Sequence, residues 1–326
     1  MKQLKGIVVS MESRNDLLNI RVRELEAMNS SQKIEFFKDL RSFCEELNVK
    51  SNNKITATQK MMSGINKITR HFDMEIIGKE NVPKTNCLFI GNHSNTHDAF
   101  VTAEVLTRIG KPGSFLAAIE GLSAIELKLF KSARATMIDR TNKESTNNGL
   151  LDFSSKLLYG DTGFIFGEST WNLHPIKPMQ NIKIGGAKVA AISRVPIVPI
   201  IYEYVEVPNM CSKEKQLYTK CVVQIGKPIY IDESQSLIEQ TQLIQSTMEN
   251  MRRQLWSDLK IYRESLDDID PQLYVNHTWL KKFGTPLFTF DSESENKLLR
   301  SNDGTIPENE YFIDSDGIFK PGIIKK

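Results

Sequence analysis

The residues of this chain best suited to chemistry lie in one short polar segment, "GNHSNTHD", which runs from Gly91 to Asp98. It contains His93, His97 and Asp98, although the whole chain has only 5 histidines. The apolar run Cys87–Ile90 before it predicts a strand, and the residues from Asp98 onward have the spacing of a helix. Open α/β sheets bind their ligands where strands end in this way. We therefore expect a site between this strand and the following helix.

His93 and Asp98 have the residue types of a base and its orienting carboxylate. If Asp98 lies in the first helical turn, its carboxylate can reach one imidazole nitrogen of His93 and leave the other facing a substrate. This is the histidine–aspartate part of a serine-protease triad, without a nucleophile from the enzyme. The nucleophile is then expected to be a hydroxyl group of the substrate, and His97 to be incidental.

The same segment allows two other interpretations. His93 and His97 are spaced i, i+4, so with Asp98 or Glu104 they could bind zinc. A helix that begins near Asp98 would leave His93 outside it, and no second motif supplies a further ligand. In the other interpretation, the segment is a polar loop whose histidines only cap the helix.

Composition and charge exclude several classes of protein. The chain has 326 residues, of which 40% are hydrophobic and 25% charged, as in ordinary soluble domains. A net charge of +2 without a dense Lys/Arg run argues against nucleic-acid binding. The 4 scattered cysteines are typical of free thiols in a reducing cytosol. No apolar run reaches the roughly 20 residues of a membrane span, so we expect a cytoplasmic protein that is soluble or peripheral.

Three regions follow from the patterning: a helical N-terminal region, 1–71; an α/β domain, 72–262; and a loop-rich C-terminal extension, 263–326. Within the α/β domain, short apolar runs alternate with helical segments, which predicts a central, mostly parallel sheet flanked by helices. The predicted strands are Phe72–Ile77, Cys87–Ile90, Ala135–Ile138, Phe164–Phe166, Ile197–Tyr202 and Cys221–Ile225, and the predicted helices are 98–109, 144–158, 185–193 and 234–262.

The segment 54–72 predicts an amphipathic helix. Met62, Ile65 and Ile68 fall near one face, and the lysines fall elsewhere. Such a helix could lie on a membrane surface. Packing of its apolar face against the protein's own domain is the favoured interpretation.

Four sequence blocks occur in an order that is characteristic of one enzyme family. "MEIIGKENVP" leads into "LFIGNHSNTHD", and "ARATMIDRTNKES", "FIFGESTWN" and "RVPIVPIIYE" follow. Together they resemble the glycerolipid acyltransferase family, which includes the 1-acylglycerol-3-phosphate and other lysophospholipid acyltransferases. The first block matches G-x-E-N-x-P and N-H-x-x-x-x-D at Gly78, Glu80, Asn81, Pro83, Asn92, His93 and Asp98. The resemblance extends over about 72–262.

The resemblance implies a mechanism and assigns roles to residues. His93 would be the general base for an acceptor hydroxyl, which attacks the thioester of acyl-CoA or acyl-carrier protein, and Asp98 would orient it. No acyl-enzyme, metal or tightly bound cofactor is implied. Arg140 would hold a phosphate of the acceptor, and Glu168 would hold its polar group.

The remaining substrate-binding candidates are less specific. Asn92 and Thr170 belong to the matched blocks, and Ser169 lies between matched positions. Lys183 precedes a Gly-Gly pair that opens a helix, and the start of a helix favours a phosphate contact.

The third block departs from the family pattern. Gly167, Ser169 and Trp171 stand where the family has proline, glycine and arginine. Loss of that arginine leaves the acceptor open, so a saccharide or metabolite acceptor remains an alternative. "GESTW" also resembles the G-x-S-x-G nucleophile elbow, except that Trp171 replaces the last glycine. Such an elbow would make Ser169 the nucleophile of an esterase that uses His277.

Residues 1–71 contain no hydrophobic anchor of the kind that most members of the family carry. A lipid acceptor would then be reached by peripheral contact through 54–72, on the inner face of the membrane. The function expected from the sequence is acyl transfer to a lysophospholipid-type acceptor. The alternatives are another hydroxyl acceptor, a zinc or serine hydrolase, or a non-catalytic relative that binds lipid.

Overall fold

The computed structural model describes the chain in several segments. They are residues 17, 20–47, 54–69, 72–94, 98–119, 124–169, 172, 178–206, 218–261, 311–313 and 319–321.

A seven-stranded sheet forms the centre of the fold, in the order β1-β7-β6-β2-β5-β3-β4. Neighbouring strands are parallel except β6 and β7, which are antiparallel. The strands are β1 Asp73–Ile77, β2 Leu88–Gly91, β3 Gly113–Ala118, β4 Thr136–Ile138, β5 Thr162–Phe166, β6 Ile197–Glu206 and β7 Tyr218–Ile225.

Helices cover both faces of the sheet. They are α1 Val22–Glu26, α2 Ser30–Glu46, α3 Ala57–Thr69, α4 Asp98–Arg108, α5 Ala124–Ser132, α6 Lys143–Leu158, α7 Gly185–Ser193 and α8 Leu237–Asp258. Strand β2 shows why two layers are needed: Leu88 and Ile90 belong to a core shared with α1, α2, α6, α7 and α8, whereas Phe89 belongs to a core shared with α4. A strand buried on both faces has a continuous apolar sequence, as β2 does.

The turn after β1, which begins at Gly78, has a structural role. Gly78 has a φ of +79°, and a Cβ there would lie 2.2 Å from the carbonyl oxygen of Ile225. The side chain of Asn81 donates to that same carbonyl at 2.8 Å. The G-x-E-N segment therefore fastens the end of β1 to the end of β7, because only glycine allows this close approach.

The predicted α/β fold class is confirmed, and two elements had not been predicted. Strand β3 was missed because its sequence, "GSFLAA", lacks the β-branched residues that mark a strand. Helix α5 was missed although "AIELKLFKS" has helical spacing. In the C-terminal extension, β8 Tyr311–Ile313 and β9 Phe319–Pro321 pair antiparallel.

Helix α3 packs on the domain as favoured, but through a mixed face on which Met62 is buried and contacts a small apolar cluster with Ala103 and Ala133. Its buried face includes Gln59 and Asn66, while Ile65 and Ile68 are exposed. Gln59 accepts from the amide of Gly113 at 2.9 Å and donates to the carbonyl of Lys111 at 2.9 Å. The prediction that Ile65 and Ile68 pack against the domain is wrong. The interface with α4 and the residues after it contains polar groups, which Gln59 and Asn66 hydrogen-bond.

No helix among the described residues is long and apolar enough to span a membrane.

Candidate active site

The candidate site lies where β2 ends in the middle of the sheet. β2 pairs with β5 on one side and with β6 on the other, and all three run parallel. Their carboxyl ends therefore meet at one edge, where the chain leaves β2 at Gly91 and enters α4 at Asp98. This is the edge at which open α/β sheets bind ligands.

His93 and Asp98 are in direct contact at this edge. His93 Nδ1 lies 2.8 Å from Asp98 Oδ2, and the same oxygen accepts from the backbone amide of Ser94 at 2.8 Å. The Asp98 side chain is fully buried, whereas that of His93 is 17% exposed. Because Asp98 accepts a hydrogen bond from Nδ1–H, the neutral ring carries its free lone pair on Nε2. The pair has the geometry of a base whose tautomer is fixed.

Phe166, at the end of β5, fixes the plane of the imidazole ring. The two rings are stacked with centroids 3.9 Å apart and an interplanar angle of 10°. The carboxylate sets the rotation of the ring and Phe166 sets its plane. His93 is therefore oriented before any substrate binds.

Glu168 holds the backbone of the histidine. Its Oε2 accepts from the amide of His93 and its Oε1 from the amide of Gln180, both at 2.6 Å. The carbonyl of His93 accepts from the amide of Asn172 at 2.5 Å. Burial raises the pKa of Glu168 to about 7, although the two amides and the positive charge of Arg252 lower it. Glu168 was predicted to contact the acceptor; in the structure it is buried and joins three segments of the protein.

Asn92 continues the strand pairing beyond the end of β2. Its side-chain nitrogen donates to the carbonyl of Tyr202 at 3.0 Å, and its oxygen accepts from the amide of Tyr202 at 2.7 Å. The side chain is fully buried. Asn92 therefore positions the loop that carries His93, which differs from the predicted contact with substrate, because its amide is occupied by β6.

Two cations lie near the end of β5. Arg140 is exposed and donates through Nη1 to the carbonyl of Ser169 at 2.6 Å. Burial, and to a smaller extent the positive charge of Arg140, lowers the pKa of Lys183. The structure thus brings the two predicted phosphate contacts together at the site edge, and their binding of substrate stays a prediction.

Ser169 adopts a left-handed backbone conformation, with a φ of +59°. Thr170, His97 and Trp171 lie outside the described residues, as does His277, which the esterase alternative needs. Within the described part of the chain, no group of three or more His, Cys, Asp or Glu side chains could hold a metal ion.

Tyr204 is a site residue that the sequence analysis missed. It lies on β6 and is buried, and its hydroxyl donates to Asp98 Oδ1. A signal was present in "IIYEYVE", because Tyr202 and Tyr204 alternate on one face of the strand and a buried tyrosine hydroxyl needs a partner. The sequence could not identify that partner.

Comparison with known proteins places this site in a family context. Residues 73–203 match the family model described as Acyltransferase. The chain is 30% identical over 121 residues to a probable 1-acyl-sn-glycerol-3-phosphate acyltransferase of Mycoplasma genitalium, covering 36% of this chain and 44% of the relative. It is 25% identical over 182 residues to the 1-acyl-sn-glycerol-3-phosphate acyltransferase of Saccharomyces cerevisiae, covering 53% and 56%.

Among solved structures, the 1-acyl-sn-glycerophosphate (LPA) acyltransferase PlsC of Thermotoga maritima superposes with a TM-score of 0.46 and 18% identity. The superposition covers 60% of this chain and 79% of that protein.

The chain spans about half the length of the curated relatives that it matches. Residues 73–203, which match the family model, contain β1 to β5 and most of β6, and with them His93, Asp98, Arg140 and Glu168. The predicted resemblance to the glycerolipid acyltransferases is confirmed by the match of residues 73–203 to the acyltransferase family model and by these relatives.

Proposed function

We propose that this protein is an O-acyltransferase that moves a fatty acyl group from a thioester donor to the hydroxyl of a lysophospholipid-type acceptor, such as 1-acylglycerol-3-phosphate. The observation that carries the proposal is the contact between His93 Nδ1 and Asp98 Oδ2, at the carboxyl edge of the sheet. The match of residues 73–203 to the acyltransferase family model supports the same reaction class.

In the proposed reaction, His93 acts as a general base. Its Nε2 takes the proton of the acceptor hydroxyl as the oxygen attacks the thioester carbonyl. Asp98, buried beside Nδ1, stabilises the imidazolium that forms. The carbon–sulfur bond then breaks, and the imidazolium returns the proton to the departing thiolate. The new ester and the free thiol account for every atom, so the reaction requires no acyl-enzyme and no cofactor.

The donor is acyl-CoA or acyl-carrier protein, and the acceptor is held by its phosphate. Arg140 is the favoured contact because a guanidinium binds phosphate oxygens in a bidentate manner, and Lys183 adds a second positive charge nearby. Trp171 stands where the family pattern has an arginine, so Arg140 and Lys183 are left to bind the acceptor phosphate. A saccharide or metabolite hydroxyl is the alternative acceptor.

The acceptor is proposed to arrive from a membrane surface, on which the protein docks peripherally through α3. Met61, Ile65 and Ile68 form an exposed apolar stripe at helical spacing, and Ile68 is 83% exposed. Lys60 and Lys67 are exposed along one flank of the stripe. An apolar stripe flanked by lysines suits an anionic bilayer surface, which for a cytoplasmic protein is the inner face of the membrane.

The orientation of α3 supports this route. Near its start, Gln59 bonds to Lys111, beyond the end of α4, whereas Asn66 bonds to Glu104, nearer the start of α4. The two helices are therefore antiparallel, and Ile68 lies towards the end of α4 that begins at Asp98. Ile125, 80% exposed, follows β3 at the same edge of the sheet. The exposed apolar residues thus lie on the side from which His93 is reached.

The experiment that tests the function compares wild type with His93→Ala. Purified protein receives long-chain acyl-CoA with lysophosphatidic acid, with other lysophospholipids, or with no acceptor. Released CoA and acylated product are followed by mass spectrometry, since a thiol dye would also react with the protein's cysteines. Acceptor-dependent release that His93→Ala lowers by about a thousandfold or more supports the proposal.

Other outcomes would contradict it. Release that needs no acceptor and is lost in Ser169→Ala would indicate a hydrolase with a serine nucleophile. Turnover that His93→Ala leaves intact would remove the histidine from the mechanism. If acyl-CoA is inert with every acceptor, acyl-carrier protein is tested as the donor, and its failure as well would favour a binding protein.

A further inference from the structure

Tyr204 is in contact with the carboxylate that orients His93. It lies on β6, is 7% exposed, and donates its hydroxyl proton to Asp98 Oδ1. The ring of Phe72 packs edge-on against it, with centroids 5.6 Å apart and an interplanar angle of 87°. The aromatic contact and the strand backbone hold the hydroxyl at a fixed place beside the carboxylate.

The donors to Asp98 act on different oxygens. Oδ2 accepts from the ring of His93 and from the amide of Ser94, and Oδ1 accepts from Tyr204. A carboxylate held through one oxygen can still turn about its Cβ–Cγ bond, but one held through both cannot. Burial raises the pKa of Tyr204 well above its ordinary value, so the hydroxyl remains a donor throughout the range in which histidine titrates.

We propose that Tyr204 is a positioning residue for acyl transfer: it locks the plane of the Asp98 carboxylate and withdraws part of its negative charge from His93. The inference rests on the proposed function, because it assigns the histidine–aspartate pair to proton transfer. The first effect aligns Nδ1–H, and the second limits how strongly Asp98 stabilises the imidazolium, so that the proton can be returned to the leaving thiolate.

Tyr202 offers a matched control on the same strand. It lies on the same face and is fully buried. Its hydroxyl bonds to Thr102 Oγ1 at 2.9 Å, and Thr102 Oγ1 donates to the backbone carbonyl of Asp98 at 2.7 Å. Since the hydroxyl proton of Thr102 is donated to the Asp98 carbonyl, Tyr202 is the donor in the hydrogen bond between the two hydroxyls. Both tyrosines thus donate to the first turns of α4, and Tyr204 is the one that contacts the carboxylate.

The experiment compares Tyr204→Phe with Tyr202→Phe. Phenylalanine keeps the ring and the backbone, so Asn92 retains its bonds to the main chain of residue 202. We expect Tyr204→Phe to lower kcat by about tenfold with KM changed less than about twofold, because one hydrogen bond to a charged group is lost. The acidic limb of the pH–rate profile should move to higher pH by about half a unit or more. Tyr202→Phe should change neither kcat nor the acidic limb of the pH–rate profile.

A second measurement does not depend on turnover. The ring protons of His93 are titrated by NMR in the wild type and in both variants, with His93→Ala used to assign the signal. A higher titration midpoint in Tyr204→Phe alone supports the inference even if the acyl acceptor has been misidentified. An unchanged midpoint, or equal shifts in the two variants, would overturn it. The proposed function fails separately, through absence of His93-dependent turnover in the wild type.

Discussion

The segments that follow β2 and β5 each carry a buried carboxylate, Asp98 at the start of α4 and Glu168 after β5, but the two differ in their donors. Asp98 accepts from an imidazole, a backbone amide and a tyrosine hydroxyl. Glu168 accepts from the backbone amides of His93 and Gln180, and burial raises its pKa to about 7. The first carboxylate is bonded to the reactive side chain, and the second to the main chain that carries it.

This difference separates two tasks. Asp98 acts on the imidazole, so its loss should change the chemical step. Glu168 and Arg140 act from the β5 side, where Glu168 holds the loop and Arg140 contacts the carbonyl of Ser169. Changes there should alter loop stability and acceptor binding more than proton transfer. The comparison therefore predicts different kinetic signatures for residues that lie at one edge of the sheet.

The largest effect is expected for Asp98→Asn. An amide cannot stabilise the imidazolium and can present its nitrogen to Nδ1, which favours the wrong tautomer, so kcat should fall by about a thousandfold with little change in KM. Glu104→Gln is the control, since Glu104 is also fully buried on α4 but pairs with Arg108. It should lower stability and leave kcat nearly unchanged. Equal losses of kcat would mean that any buried carboxylate of α4 is needed, and the comparison would fail.

The next effect is expected for Arg140→Ala, on the recognition side. We expect kcat/KM for lysophosphatidic acid to fall by about 10- to 100-fold, mostly through KM, because a charged hydrogen bond to phosphate is lost. Arg140→Lys should retain only part of the wild-type kcat/KM, since lysine lacks the two parallel N–H donors of a guanidinium. Arg253→Ala, at an exposed arginine of α8, is the control. A change in kcat without a change in KM would assign Arg140 to the chemical step instead.

A smaller kinetic effect, but a distinctive pH dependence, is expected for Glu168→Gln. The amide keeps one acceptor oxygen but turns a donor towards the other backbone amide, so kcat should fall by about tenfold. In the wild type the pKa of Glu168 is about 7 when folded and near 4.5 when unfolded, so the folded state holds the extra proton between these values. Its contribution to stability is full below pH about 4.5 and is lost as pH rises to about 7.

The loss of folding stability from Glu168 amounts to about 3 kcal/mol between pH about 4.5 and about 7. The free energy of unfolding, measured by denaturant titration at several pH values, should fall with rising pH more steeply in the wild type than in Glu168→Gln. Parallel pH dependences in the two proteins would contradict a raised pKa at this position. The kinetic prediction would then have to rest on the hydrogen bonds alone.

The smallest effect is expected at the surface, where Ile68→Asp separates delivery of the acceptor from its recognition. Binding to vesicles of equal parts phosphatidylcholine and phosphatidylglycerol should weaken by about 5- to 10-fold, since one exposed apolar side chain is removed from the interface and a negative charge is added. Ile34→Asp, at an isoleucine of α2 that is 43% exposed, is the control. Turnover of a water-soluble, short-chain acceptor should be unchanged. Equal weakening by both variants would exclude a specific role for α3.

Much of the site could be predicted because its sequence signals are local. His93 and Asp98 are close in sequence and lie at a strand-to-helix boundary that periodicity alone reveals. The contacts of Glu168 and Asn92 were assigned to substrate because the sequence does not indicate which surface covers a polar side chain. Tyr204 was missed for a related reason: its partner is more than 100 residues away, and alternation along β6 gives the face of the strand but not the neighbour.

Helix α3 shows the same limit on a larger scale. The sequence specified an amphipathic helix, and its spacing was interpreted with the apolar side inward. The neighbouring α4 instead presents Glu104, and the chain beyond α4 presents the carbonyl of Lys111, both of which require polar partners. Asn66 and Gln59 meet that requirement and are buried beside Met62, whereas Met61, Ile65 and Ile68 are exposed.

The sequence by itself determined the α/β alternation, the order of the four blocks and the pairing of a histidine with a nearby aspartate, because these depend on short-range spacing and side-chain type. The tertiary structure decided that the Tyr204 hydroxyl donates to Asp98, that Glu168 accepts from the backbone amide of His93, and which side chains of α3 are exposed. These depend on strands and helices that are distant in sequence but packed together, and on the requirement that buried polar groups be hydrogen-bonded wherever the fold places them.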